Sequence, residues 1–163
     1  MNNTEYIYTI YIKTTPEKVW NAITNPEFTR QYWGHENVSA WNKGSKWQHV
    51  SNDNKRTVKL VGEVLESVPP KRLVLTWADP ADTSPKSEHS RVTFEIEAIE
   101  DMVRLSVIHG NLKAGSEMAR KISSGWPRVL SSMKSFLETG KALNTWAGYE
   151  HDCARTATDG AEA

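Results

Sequence analysis

The sequence predicts an α+β domain in which an antiparallel sheet wraps around one long C-terminal helix. Three observations lead there. Between Glu117 and Gly140 the large apolar residues fall at Met118, Ile122, Trp126, Val129, Leu130, Met133 and Leu137. Steps of three and four place them on one helical stripe. Upstream of about Leu112 the pattern has period two, as in half-buried strands. Between the first strand and the rest stand two proline-marked helix starts.

Taken in order, Glu5 to Lys13 is rich in aromatic and β-branched residues and predicts the first strand. Thr15-Pro16-Glu17 supplies an N-cap, a proline at N1 and an acid in the first turn. Asn25-Pro26-Glu27 repeats that signal, so a second short helix follows, ending near Tyr32 to Gly34. Six more strands are expected: Glu36–Trp41, Ser45–Ser51, Arg56–Ser67, Arg72–Ala78, His89–Ala98 and Met102–His109. Gly110 is taken to end the last of them. For the long helix, Ser116 is the expected N-cap and Gly140 the residue just past its end. Pro127 cannot donate to the Ser123 carbonyl and Gly125 weakens the same turn. Because the stripe keeps its phase there, a kinked helix is preferred to a second start near Ser124. After Gly140 the composition turns to Ala, Thr, Asn, Gly and Asp. The expected division is one domain over residues 1–143 and a polar tail over 144–163, in which Trp146 and Tyr149 could dock back.

A chain of 163 residues suits one domain with a real core. Twenty Lys and Arg balance twenty Asp and Glu, which argues against a nucleic-acid partner. No apolar run approaches the ~20 residues of a membrane span, and the N-terminus lacks the pattern of a signal peptide. Cys153 is the only cysteine, which excludes a disulfide framework within the chain and fits the cytoplasm. No phosphate-cradling glycine loop or His-Glu-x-x-His occurs, and the histidines at 35, 49, 89, 109 and 151 show no metal-ligand spacing. Neither a cofactor nor a metal is expected.

The layout resembles the helix-grip fold of the START-like (SRPBCC, birch-pollen-allergen-like) superfamily. Thr15 to Glu27 is similar to that family's opening. Gly62-Glu63-Val64-Leu65-Glu66, followed by Pro69-Pro70-Lys71-Arg72-Leu73 and Thr76-Trp77, is similar to its central hairpin. Gly125-Trp126 with Leu130, Met133 and Leu137 is similar to its final helix. Together these resemble the branch named for the activator of heat-shock protein 90 ATPase, over roughly Tyr6 to Gly140. The resemblance implies a curved sheet and a cavity between sheet and long helix that takes a small apolar ligand.

On that reading the candidate ligand-lining residues are Trp33, Trp47, His49, Trp77, Phe94, His109, Trp126 and Met133, with no catalytic residue assigned. His109 continues the inward phase of Val103, Leu105 and Val107. It reads either as a polar anchor or acid-base in the cavity, or as a histidine satisfied by the protein at a strand end, and the second reading is preferred. His49 shares a face with Trp47, on a strand whose inner side the sequence leaves open. Aromatic residues at such positions are more often core than ligand contacts. Non-enzymatic binding of a small hydrophobic molecule is the favoured function. A cyclase or dehydratase using a cavity histidine and a co-chaperone-like interaction module are the alternatives. A chaperone partner is not favoured, because no room precedes Tyr6 for a separate chaperone-engaging domain. Monomer and homodimer are both open.

Overall fold

A computed structural model of the chain describes residues 3–145. The elements run β1 (Asn3–Ile12), α1 (Pro16–Thr24), α2 (Pro26–Trp33), β2 (His35–Ser39), β3 (Lys46–Ser51), β4 (Val58–Val68), β5 (Arg72–Trp77), β6 (Ser90–Ile99), β7 (Met102–Lys113) and α3 (Glu117–Thr139). The strands form one antiparallel sheet in the order β1-β7-β6-β5-β4-β3-β2. This is the helix-grip architecture. Trp146 and Tyr149, Cys153 and the tail from 146 onward lie outside the described residues.

The helix ends follow their local chemistry. Thr15 accepts from the Lys18 N–H, Asn25 from the Glu27 N–H and Ser116 from the Ala119 N–H. Gly34 and Gly140 close α2 and α3 in the left-handed conformation that glycine adopts without a Cβ penalty. α3 is continuous through Gly125 and Pro127, so no second helix start occurs near Ser124. The Ser123 carbonyl that Pro127 leaves without a helical donor accepts a long bond, 3.4 Å, from the Tyr6 hydroxyl of β1. Ile122, Trp126, Val129, Leu130 and Met133 are buried from α3. Phe136 meets Phe28 and Tyr32 of α2 at ring separations of 5.9 and 6.1 Å. Past Gly140 the chain turns back along α3, where Ser132 bonds both the N–H and the carbonyl of Leu143.

Most strand ends fall one or two residues from expectation, and two of the differences have a clear local cause. β2 stops at Ser39, because Trp41 takes a positive φ of 60° that a strand cannot hold. β7 does not stop at Gly110 but runs on to Lys113. Along β1, Thr4 pairs with Leu112 and Tyr6 with His109, so β7 carries one extra residue there, with Asn111 at φ 54°. The bulge shifts the inward phase from Val103, Leu105, Val107 and His109 to Leu112. His109 is therefore inside a paired strand, opposite Tyr6 and Val92, and not at a strand end.

Candidate functional site

Between α3 and the inner face of the sheet lies a cavity of about 420 Å³. Trp33 from the end of α2, His49 from β3, Trp77 from β5 and Trp126 from α3 form its aromatic wall. Leu60, Met118, Ile122 and Val129 add aliphatic surface, and Lys59, Asp79 and Lys121 supply charge. Lys121 pairs with Glu117 one turn earlier, at 3.1 Å. The aromatic wall is one connected stack. Trp77 sits 5.4 Å from Trp126 and 6.3 Å from Trp33, while Trp33 is 5.8 Å from Trp126 and 4.7 Å from His49. A polar depression of about 240 Å³ adjoins it along Trp77, Asp79, Met118 and Lys121, toward the start of α3. A broader groove of about 710 Å³ beside Arg72, Glu95 and Glu97 is bounded mainly by charged side chains and lacks an aromatic wall.

The structure brings Trp33, His49, Trp77 and Trp126 together on the cavity surface. Trp47, Phe94, His109 and Met133 are buried behind it. Trp47 packs 4.8 Å from Trp77 and donates its N–H to the Thr76 carbonyl at 2.7 Å. Phe94 meets Trp126 edge-on at 5.9 Å. The inner side of β3 thus carries both Trp47 and His49, an orientation that an isolated strand leaves undetermined.

His109 is fully buried, and both its nitrogens are engaged by the protein. The Trp126 N–H can only donate, so Nδ1, 3.1 Å away, is the acceptor. Nε2 then carries the proton and donates to the Ser90 hydroxyl at 2.9 Å. That hydroxyl donates in turn to the Trp77 carbonyl at 2.5 Å. The relay ties α3 to β7, β6 and β5 and leaves no imidazole atom for a ligand. His109→Phe should therefore cost about 1–3 kcal/mol, because the Trp126 N–H would be buried without a partner. Apolar-probe affinity per folded molecule should stay unchanged. A variant of wild-type stability with weakened probe binding would contradict this assignment.

His49 is held differently. Asn37 lies opposite it across the β2–β3 ladder, and its Oδ1 is 2.6 Å from His49 Nδ1. His35 stacks on the imidazole at 4.6 Å and 13°, and is itself fixed by an Nδ1–H bond of 3.3 Å to the Trp33 carbonyl. β2 is anchored by Glu36, which is buried and paired with Arg30 at 3.3 Å and Arg56 at 2.7 Å. His35, Asn37, Lys59 and Asp79 were not among the residues singled out from sequence. Their roles depend on strand register and on packing across the sheet, which no local pattern carries.

Burial drives the pKa of His109 down to about 3, and burial followed by the neighbouring His35 does the same to His49. His35 is lowered too, chiefly by burial. An unfolded histidine titrates near 6.5, so below that pH the unfolded chain takes up protons that the folded one refuses. Stability should be complete above about pH 6.5 and fall progressively toward pH 3, by roughly 1 kcal/mol per pH unit for each deeply buried histidine. Thermal melts near pH 7.5 and pH 5 test this, and equal midpoints would refute it.

A seven-stranded sheet closed on a long helix, with an aromatic cavity between them, defines a START-like helix-grip domain. Residues 13–138 match the family described as Activator of Hsp90 ATPase homolog 1-like protein, and the chain belongs to that family. Similar solved structures include the Aha1 dimer from Colwellia psychrerythraea, at 23% identity and TM-score 0.71, covering 85% of this chain and 99% of that one. An HSP90 activator from Plasmodium falciparum aligns at 21% identity and TM-score 0.66, over 82% of this chain and 95% of that one. CalU16 from Micromonospora echinospora aligns at 20% and 0.65, over 83% and 77%. At these identities the likeness concerns the fold. A comparison with curated proteins finds no match. Among the described residues no helix is long and apolar enough to cross a membrane.

Proposed function

We propose that this protein binds one small, mostly apolar molecule in the cavity between the sheet and α3, without converting it chemically. The observation that carries the reading is the cavity wall: three tryptophans and a histidine from four separate elements converge on about 420 Å³. Ligand sites are commonly about 300–1,000 Å³, with apolar and aromatic walls and few polar groups. Trp33, His49, Trp77 and Trp126 are the proposed ligand contacts. Trp47, Phe94, His109 and Met133 support them from behind. Acid-base chemistry has less support, since His109 has no free nitrogen and neither it nor His49 is ion-paired with a carboxylate among the described residues. Chaperone activation is not our reading, because the similarity to an HSP90 activator extends only to the fold. The proposed location is the cytoplasm, in keeping with a single cysteine.

Native mass spectrometry of protein purified without detergent tests the proposal. The expected result is a co-purified small-molecule mass, or saturable one-to-one binding of the fluorophore 1-anilinonaphthalene-8-sulfonate that Trp33→Ala weakens. The absence of both a bound mass and saturable probe binding would overturn it.

A further inference from the structure

The two buried histidines differ in one respect that bears on what the cavity selects. The Asn37 amide nitrogen donates to the Ile23 carbonyl at 3.2 Å, which fixes the amide with its oxygen toward His49. The flipped amide would set two oxygens against each other. Asn37 Oδ1 can only accept, so His49 Nδ1, 2.6 Å away, carries the proton. In a neutral imidazole the other nitrogen then holds a free lone pair.

No protein group among the described residues hydrogen-bonds Nε2 of His49. Among those residues the fully buried side-chain atoms without partners are the Thr14 and Thr145 hydroxyls. Nε2 is not one of them, so it keeps some exposure, and it belongs to a residue that lines the cavity. The other aromatic groups of the wall are indoles, whose N–H can donate but never accept, and Trp126 already directs its own to His109. His49 is thus the acceptor within the aromatic wall. With His35 stacked on it at 4.6 Å and the tilted Trp33 ring 4.7 Å away, it cannot reorient freely.

We propose that Nε2 of His49 accepts a hydrogen bond from the cavity ligand, which selects a planar, largely apolar molecule bearing a hydroxyl or N–H donor, such as a phenol. This rests on the cavity being a ligand site, as proposed above. Burial holds the imidazole neutral at pH 7, which keeps the lone pair available. A charged His49 would donate from both nitrogens and would prefer an anion.

The test pairs two probes of nearly equal shape, 2-naphthol and 2-methoxynaphthalene, titrated into the full chain near neutral pH by calorimetry. Hydrophobicity alone favours the ether, which buries an extra methyl. We expect 2-naphthol to bind at least about fivefold tighter, the worth of one such bond. His49→Phe should abolish that preference while still binding both. In the wild-type protein, 15N shifts should show a protonated Nδ1 and a bare Nε2, with Nε2 moving on addition of 2-naphthol only. Equal or tighter binding of the ether, or a protonated Nε2, overturns this inference and leaves the cavity assignment standing. Failure of both probes to bind overturns this inference, and the cavity assignment falls with it only if no co-purified mass and no fluorophore binding are found. If His49→Phe does not fold, the wild-type probe ratio and nitrogen shifts decide the matter.

Discussion

Trp126→Ala should destabilise the protein by roughly 3–5 kcal/mol. The indole is almost completely buried and contacts Trp33, Trp77 and Phe94 at 5.4–5.9 Å between ring centroids. Removing it takes away more than transfer free energy. It opens a void between α3 and the sheet that rigid neighbouring rings cannot fill, and it leaves His109 Nδ1 buried without a donor. The last effect separates Trp126 from other large residues of the stripe. Trp126→Phe should recover much of the packing but not the hydrogen bond, and should fall between the two. Chemical denaturation of all three proteins checks the order. A midpoint for the alanine variant within experimental error of wild type would mean that α3 does not seal the sheet through this side chain.

Gly62→Ala should cost about 3 kcal/mol or more, although it adds a single methyl group to a strand. A Cβ at Gly62 would lie 1.8 Å from the Thr76 carbonyl oxygen and 2.2 Å from the Trp47 indole nitrogen. Those two atoms are the partners of the 2.7 Å hydrogen bond that passes over the glycine. The methyl must therefore push backbone against backbone or break the bond, and Trp47 has nowhere to move because it packs on Trp77. Since Trp77 also lines the cavity, the damage should reach the site, and probe binding should weaken along with stability. Gly125→Ala is the control: nothing lies within 4 Å of a Cβ there, and alanine is the better helix former. That variant should be neutral or slightly stabilised. Equal stability of Gly62→Ala and wild type would show that Trp47 does not cross the strand in this way.

Much of the frame was legible in residue order because it depends on local rules. The spacing of Ile122, Trp126, Val129 and Met133 defines one helical face whatever packs against it. Thr15-Pro16, Asn25-Pro26 and Gly140 punctuate helices through their own backbone preferences. The inward phase of Val103, Leu105, Val107 and His109 needs only the two-residue period of a strand. The end of β7 was misread at Gly110 because the bulge that carries the strand onward is stabilised by pairing with Asn3 and Thr4, more than a hundred residues away in the chain.

The site divides along the same line. Periodicity determined that His109 and Trp126 face inward, and the cavity beneath the long helix was implied by the family resemblance. Only the tertiary structure decided what each histidine can do there. His109 meets Ser90 and Trp126 from two other elements and uses both nitrogens. His49 meets Asn37, placed opposite it by the β2–β3 register, and its other nitrogen has no hydrogen-bond partner among the described residues. A hydrogen-bond partner is set by distance and direction to within a few tenths of an ångström. Sequence periodicity specifies only a face, so the same residue type can be a structural tie in one strand and the proposed ligand acceptor in another.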